Sequence, residues 1–142
     1  MNSFEEQPAD TWAVWAKDVI KEYKNGRKAL SGLNIFVKQG EIFSLLGRNG
    51  AGKSTLIKIL STLLKPTAGT IFMFGKDISK DCLSIRPEIA CVFQQPSIDT
   101  YLSLEENMMF QSRLYHIPSH TARSRMDKLI QAFGLEKYQK YP

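Results

Sequence analysis

Apolar positions change their spacing along this chain: alternation and short continuous runs come first, helical spacing last. Residues 1–11 are polar, with Glu5, Glu6, Pro8 and Asp10, and predict a flexible leader. A first strand is predicted over residues 12–16, and Lys21, Glu22 and Tyr23 lead into the turn dipeptide Asn25-Gly26. Leu33, Ile35 and Val37 alternate with Asn34, Phe36 and Lys38, the pattern of a half-buried strand. Gln39-Gly40 turns the chain into the apolar run 42–46, which predicts a buried strand. Leu56, Ile57, Ile59, Leu60, Leu63 and Leu64 then recur at helical spacing.

After a turn over 65–69, residues 70–74 predict a further strand ending at Gly75. Residues 89–93 form a second continuous apolar run and predict a central strand. From there the character is helical. Ser103-Leu104-Glu105-Glu106 reads as a capping box opening a helix that runs to Leu114 or Tyr115 and stops before Pro118. Ala122, Met126, Leu129, Ile130 and Phe133 share one face of a last helix, with Gly134 as its cap. The order predicts a leader at 1–11, a β subdomain and core at 12–95, and the start of a helical subdomain at 96–142, hinged near 94–103. No internal repeat or low-complexity segment interrupts this division.

Composition narrows the picture without deciding it. The 142 residues are 43% hydrophobic and 23% charged, as in an ordinary globular domain. No apolar run reaches the roughly 18 residues that span a bilayer, and no signal segment opens the chain. The net charge of +5 comes from dispersed Lys and Arg, a solvated surface rather than a nucleic-acid stripe. Cys82 and Cys91 form no C-x-x-C pair and predict reduced, partly buried thiols. His116 and His120 stand at i and i+4, but Pro118 between them breaks the helix a shared metal would need.

The chemistry lies in GRNGAGKST, which fits the phosphate-loop pattern G-x-x-x-x-G-K-[ST] on Gly47, Gly52, Lys53 and Ser54. A chain of this length carries that pattern by chance on the order of one time in two hundred. The predicted strand before it and helix after it supply the context the motif requires. Gly50 and Gly52 permit backbone conformations that a Cβ forbids, so the N–H groups around Asn49, Ala51 and Thr55 can face one concavity. The helix start adds free N–H groups and its positive dipole end. Lys53 supplies a point charge for the β and γ phosphates, and the Ser54 hydroxyl suits Mg²⁺. At this level kinases, GTPases and many ATPases remain open, as does a plain glycine-rich turn.

Further segments narrow the choice. KALSGLNIFVKQGEIFSLLGRNGAGKSTLIKIL, LLKPTAGTIFMFGKDI and IACVFQQPSID together resemble the nucleotide-binding subunit of an ABC transporter, from about Trp12 onward and in that family's order and spacing. The resemblance implies an α/β P-loop NTPase fold, with a mixed β-sheet subdomain and the start of a helical one. Tyr23 matches the aromatic that stacks on adenine, a contact that discriminates little between bases. Gln94 matches the glutamine that reaches Mg²⁺ and the attacking water and signals to the membrane subunits; its neutral amide both donates and accepts. The segment 96–115 resembles the start of the helical subdomain where membrane subunits dock, and PSIDTYLSLEENMMFQSRLYHIP, residues 96–118, is most similar to ABC-2-type and multidrug exporters. Met108, Met109 and Phe110 within it read as helix core. Arg48 stands where many members have proline, a free position of the pattern, and we have no physical account of it.

The chain carries no LSGGQ-type segment, no apolar strand ending in Asp-Glu and no downstream switch histidine, so it reads as the truncated N-terminal half of such a subunit. The resemblance implies an ATP- and Mg²⁺-dependent ATPase that drives export through separate permease subunits and pairs head to tail with a second nucleotide-binding subunit. It also implies a cytoplasmic protein, peripheral on that face of the membrane. For this chain it implies nucleotide binding with hydrolysis absent or very slow, because positioning and charge stabilisation make up most of phosphoryl-transfer catalysis. The rivals are a non-enzymatic nucleotide-binding module and a non-transport ABC ATPase; a P-loop kinase or GTPase would show a base-specificity or acceptor motif that is not found.

Overall fold

The computed structural model describes residues 12–93 and 98–141. The chain divides into two compact units, Met1–Val92 and Phe93–Pro142. The subdomain boundary expected near residue 95 falls outside the described residues, as does the leader expected at 1–11.

The first unit contains β1 (Trp12–Glu22), β2 (Lys28–Lys38), α1 (Lys53–Leu60), β3 (Ala68–Met73), β4 (Lys76–Asp77) and α2 (Cys82–Ile85). Its strands form a 4-stranded sheet in the order β2-β1-β3-β4, with every neighbouring pair antiparallel. β1 is central and longer than its sequence pattern suggests. One face of the sheet carries Ala16, Val19, Leu30, Ile35, Ile71 and Met73, which pack with Leu56 and Ile59 of α1 and with Ile78 and Ile85. The opposite face holds Trp15 between its cross-strand partners Phe36 and Phe72, with ring centroids 5.8 and 6.0 Å away.

A regular strand would send Ala16 and Val19 to opposite faces, because side chains alternate. Both are fully buried in the core. A bulge resolves the conflict. The register of β1 shifts between Ala16 and Val19, where Asp18 takes φ 53, and its N–H donates to Asn34 Oδ1 at 2.8 Å. On the other side, β3 passes so close that a Cβ on Gly69 would stand 2.4 Å from the Asp18 carbonyl oxygen. The bulge and Gly69 are one device: the glycine makes room for the kink that turns Val19 inward.

Two expected strands do not form. Residues 42–46 and 89–93 make no ladder among the described residues, and Ile42, Leu46 and Val92 are 96%, 90% and 99% exposed. An apolar run becomes a strand only where neighbouring backbone satisfies its N–H and C=O groups, and none of the described strands lies alongside these two. Only Leu45 and Ile89 pack against the core from these runs. Cys91 is exposed rather than partly buried, whereas Cys82 is half-buried.

The second unit holds α3 (Leu104–Leu114) and α4 (Ser119–Phe133). The capping box is formed: Glu106 N donates to Ser103 Oγ at 3.3 Å, and Ser103 N donates to Glu106 Oε2 at 2.8 Å. α4 ends in a Schellman motif with Gly134 at φ 64, where Leu135 N donates to the Ile130 carbonyl at 2.9 Å. Ala122, Met126 and Ile130 are buried at successive turns. Leu129 and Phe133, expected on the same buried face, are 47% and 72% exposed, and Phe110, expected in the core, is 52% exposed. Within this unit one helix covers only a narrow stripe of the other, so positions beside that stripe stay open.

Candidate functional site

The loop from β2 to α1 begins with Gly40 at φ 75 and a local clasp in which Lys38 N donates to Glu41 Oε2 at 2.9 Å. It ends at Gly52, which precedes α1 at φ 91 with no side-chain cap. A Cβ there would stand 2.5 Å from the Ala29 carbonyl oxygen and 2.8 Å from Leu30 Cδ2. Glycine is therefore required twice, by the left-handed backbone and by the approach to β2. Gly50 also takes positive φ, at 87°, with open space around it. Gly47 has no such φ; a Cβ on it would meet Ala51 Cβ at 3.4 Å.

Gly47, Asn49, Gly50 and Ala51 lie exposed on the loop, Ser54 is exposed in the first turn of α1, and Gly52 and Lys53 are half-buried. The Lys53 ammonium donates to the carbonyls of Gly47 and Arg48, the latter at 2.8 Å, and so stays folded over the loop. Ala51 N donates to the Arg48 carbonyl at 3.1 Å, closing the turn below it. The first intrahelical bond is from Leu56 N to the Gly52 carbonyl, at 2.9 Å. The N–H groups of Lys53, Ser54 and Thr55 therefore have no intrahelical acceptor, and the first turn holds no acidic residue to offset the dipole. Backbone donors, a dipole end and an ammonium lie together on one exposed loop, an arrangement suited to a polyanion.

Tyr23 lies at the end of the β1–β2 hairpin, where its N–H donates to the Arg27 carbonyl and its carbonyl accepts from Gly26 N, both at 2.9 Å. Its hydroxyl is 3.1 Å from Thr55 Oγ1, and Thr55 is buried. The fold thus joins Tyr23 to the loop helix from 32 positions away. Sequence reasoning missed one neighbour of this ring. Lys21 Nζ stands over it, 5.7 Å from the centroid, and donates to the Lys65 carbonyl at 2.7 Å. Sequence spacing gave no signal for this pair, because β1 ends at Glu22 and its register shifts between Lys21 and Glu22. A shallow cleft of about 620 Å³ opens beside them, lined by Lys21, Tyr23, Lys24, Arg27 and Leu64 among others. Gln94 lies outside the described residues.

Among the described residues no group of three or more His, Cys, Asp or Glu could hold a metal ion. Mg²⁺ at this loop would instead take the Ser54 hydroxyl together with phosphate oxygens, a hard-oxygen donor set that fits its preference.

A family model described as ABC transporter matches residues 30–142, more than half of the chain. The chain belongs to the ABC transporter family. The loop and α1 fall inside the matched residues, while Tyr23 precedes them. Among similar relatives, the "Daunorubicin resistance ATP-binding protein DrrA3" of Streptomyces coeruleorubidus is 39% identical over 127 residues, covering 89% of this chain and 40% of that protein. The "Doxorubicin resistance ATP-binding protein DrrA" of Mycobacterium tuberculosis is 38% identical over 127 residues, covering 89% and 38%. The solved structure of cbiO1 from Clostridium perfringens, described as part of the ABC transporter complex cbiONQ, superposes with TM-score 0.77 at 30% identity, over 93% of this chain and 54% of that one.

The chain therefore spans about two fifths of the length of these sequence relatives and about half of the solved one. The ABC transporter match and the TM-score bear out the expected P-loop ATPase fold class. No helix among the described residues is long and apolar enough to cross a membrane.

Proposed function

We propose that this chain holds the phosphate-binding side of an ATP site, within an ABC ATPase that drives export through separate membrane subunits. The observation that carries the reading is the start of α1, an uncapped helix terminus with no acidic residue, preceded by two left-handed glycines. In this reading the N–H groups of residues 50–55 bind the β and γ phosphates. Lys53 moves from the loop carbonyls onto the phosphates, and the first-turn hydroxyl of Ser54 holds Mg²⁺, which supplies charge neutralisation when bound. Tyr23 takes the base on its ring, and Gln94 senses the metal and the attacking water.

Hydrolysis and coupled export belong to the whole protein in this proposal. Its permease subunits engage Gln94 and the helical unit, and a second nucleotide-binding subunit closes the site head to tail. It works at the cytoplasmic face of the membrane and not on nucleic acid. A drug-like cargo is supported by the names of the two DrrA relatives, which are drug-resistance proteins.

Titration of the purified protein with a fluorescent ATP analogue and Mg²⁺ tests the reading. Saturable binding, weakened by Lys53→Ala at least about tenfold, is the expected result for losing a charge-assisted contact to phosphate. Equal binding by Lys53→Ala and the unaltered protein would remove the loop from the site.

A further inference from the structure

Tyr23 is held through both its backbone and its side chain. Its backbone closes the hairpin turn through bonds with Arg27 and Gly26, and the Lys21 ammonium, pinned to the Lys65 carbonyl, stands over one ring face. Its hydroxyl meets Thr55 Oγ1 at 3.1 Å. Thr55 lies in the first turn of α1, close after Lys53, and is buried. The hydroxyl contact therefore ties a base-binding ring to the helix that binds phosphate.

We propose that Thr55 is a positioning residue for nucleotide recognition, acting through the Tyr23 hydroxyl to hold the ring at a set distance from the phosphate loop. This rests on the nucleotide reading above. With its backbone and hydroxyl engaged, the half-buried Tyr23 still borders the cleft it shares with Lys21 and Leu64, where an aromatic base can reach it. Little ordering entropy then remains to be lost when the nucleotide binds, which favours affinity by preorganisation. The hydroxyl is spent inside the protein rather than on the base edge, so the platform selects for a base without choosing among bases.

The competing arrangement places the Thr55 hydroxyl on phosphate, and a ligand without a base separates the two. Affinities for magnesium ATP and magnesium tripolyphosphate are to be measured by calorimetry on the purified protein and on Tyr23→Phe, Thr55→Val, Thr55→Ser and Tyr23→Phe/Thr55→Val. Loss of one hydrogen bond predicts roughly 3- to 10-fold weaker ATP binding in Tyr23→Phe and in Thr55→Val, with tripolyphosphate within about twofold of the unaltered protein. Thr55→Ser, which keeps a hydroxyl, retains ATP affinity. The double variant is no weaker than the weaker single one, because both remove the same contact.

Unaltered ATP affinity in Tyr23→Phe, or additive losses in the double variant, would overturn the proposal. So would a Thr55→Val that weakens tripolyphosphate as much as ATP, which would assign the hydroxyl to phosphate. Those results leave the nucleotide reading standing. An unaltered protein that binds neither ligand overturns both.

Discussion

In the strand-rich unit, the residues that settle the shape stand far apart in sequence: Asp18 with Gly69, Ala29 with Gly52, and Tyr23 with Thr55. In the helical unit they are near neighbours: Ser103 with Glu106, and Ile130 with Leu135. The first kind of contact forms only once separate segments have met, whereas the second is available to a short peptide. The strand-rich unit is therefore cooperative and intolerant at a few positions. The helical unit is a sum of smaller local preferences around a thin buried stripe.

The sharpest test of that contrast is Gly69→Ala. Its Cβ would meet the Asp18 backbone at 2.4 Å and must also take φ 89. Combined clash and left-handed strain predict a loss of roughly 3–5 kcal/mol, read as a fall in the denaturant midpoint of the strand-rich unit. A variant as stable as the parent would mean that the bulge relaxes and does not constrain β1. Next in size is Ile71→Ala, which empties a fully buried position against α1 and is expected to cost about 3–4 kcal/mol.

Met126→Ala should cost less, about 2 kcal/mol, because one partner helix lines the stripe and a flexible side chain leaves a space that collapses readily. Equal losses for Ile71→Ala and Met126→Ala would break the comparison. Ser103→Ala is expected to cost about 1 kcal/mol of helical-unit stability, seen as fraying of α3 by amide hydrogen exchange.

The smallest effect is one of pH. The Ser103 backbone N–H, followed by the Ser103 hydroxyl, holds the Glu106 carboxyl below its ordinary value. A lowered folded-state pKa gives stability that is fully present above the ordinary glutamate range and fades as pH falls through the lowered value. Exchange protection of α3 should therefore weaken on acidification, and Glu106→Gln should remove that dependence. Protection that is flat through the acid range in the unaltered protein would count against the box.

How far each element could be read from residues follows the same division. The box at Ser103, the stop before Pro118 and the glycine cap at Gly134 were readable because each is a short-range hydrogen-bond pattern with its own residue code. The hairpin at Asn25-Gly26 was readable for the same reason. The apolar runs at 42–46 and 89–93 misled, since hydrophobicity alone carries no information about whether a neighbouring strand is present to pair with them. Leu129 and Phe133 misled likewise: helical periodicity names a face, and only packing decides how wide the covered part of it is.

At the candidate site, the residue types of GRNGAGKST specified by themselves the loop and the start of α1, because left-handed glycines and a free helix terminus are local properties. Nothing in the sequence around Tyr23 shows what holds its side chain. That Thr55 and Lys21 hold it, that Gly52 lies against Ala29, and that a bulge turns Val19 inward were decided by tertiary structure alone. The reason is physical: short-range dihedral and hydrogen-bond preferences are written into each residue and its neighbours, whereas a contact across many positions exists only after the sheet has brought its partners together.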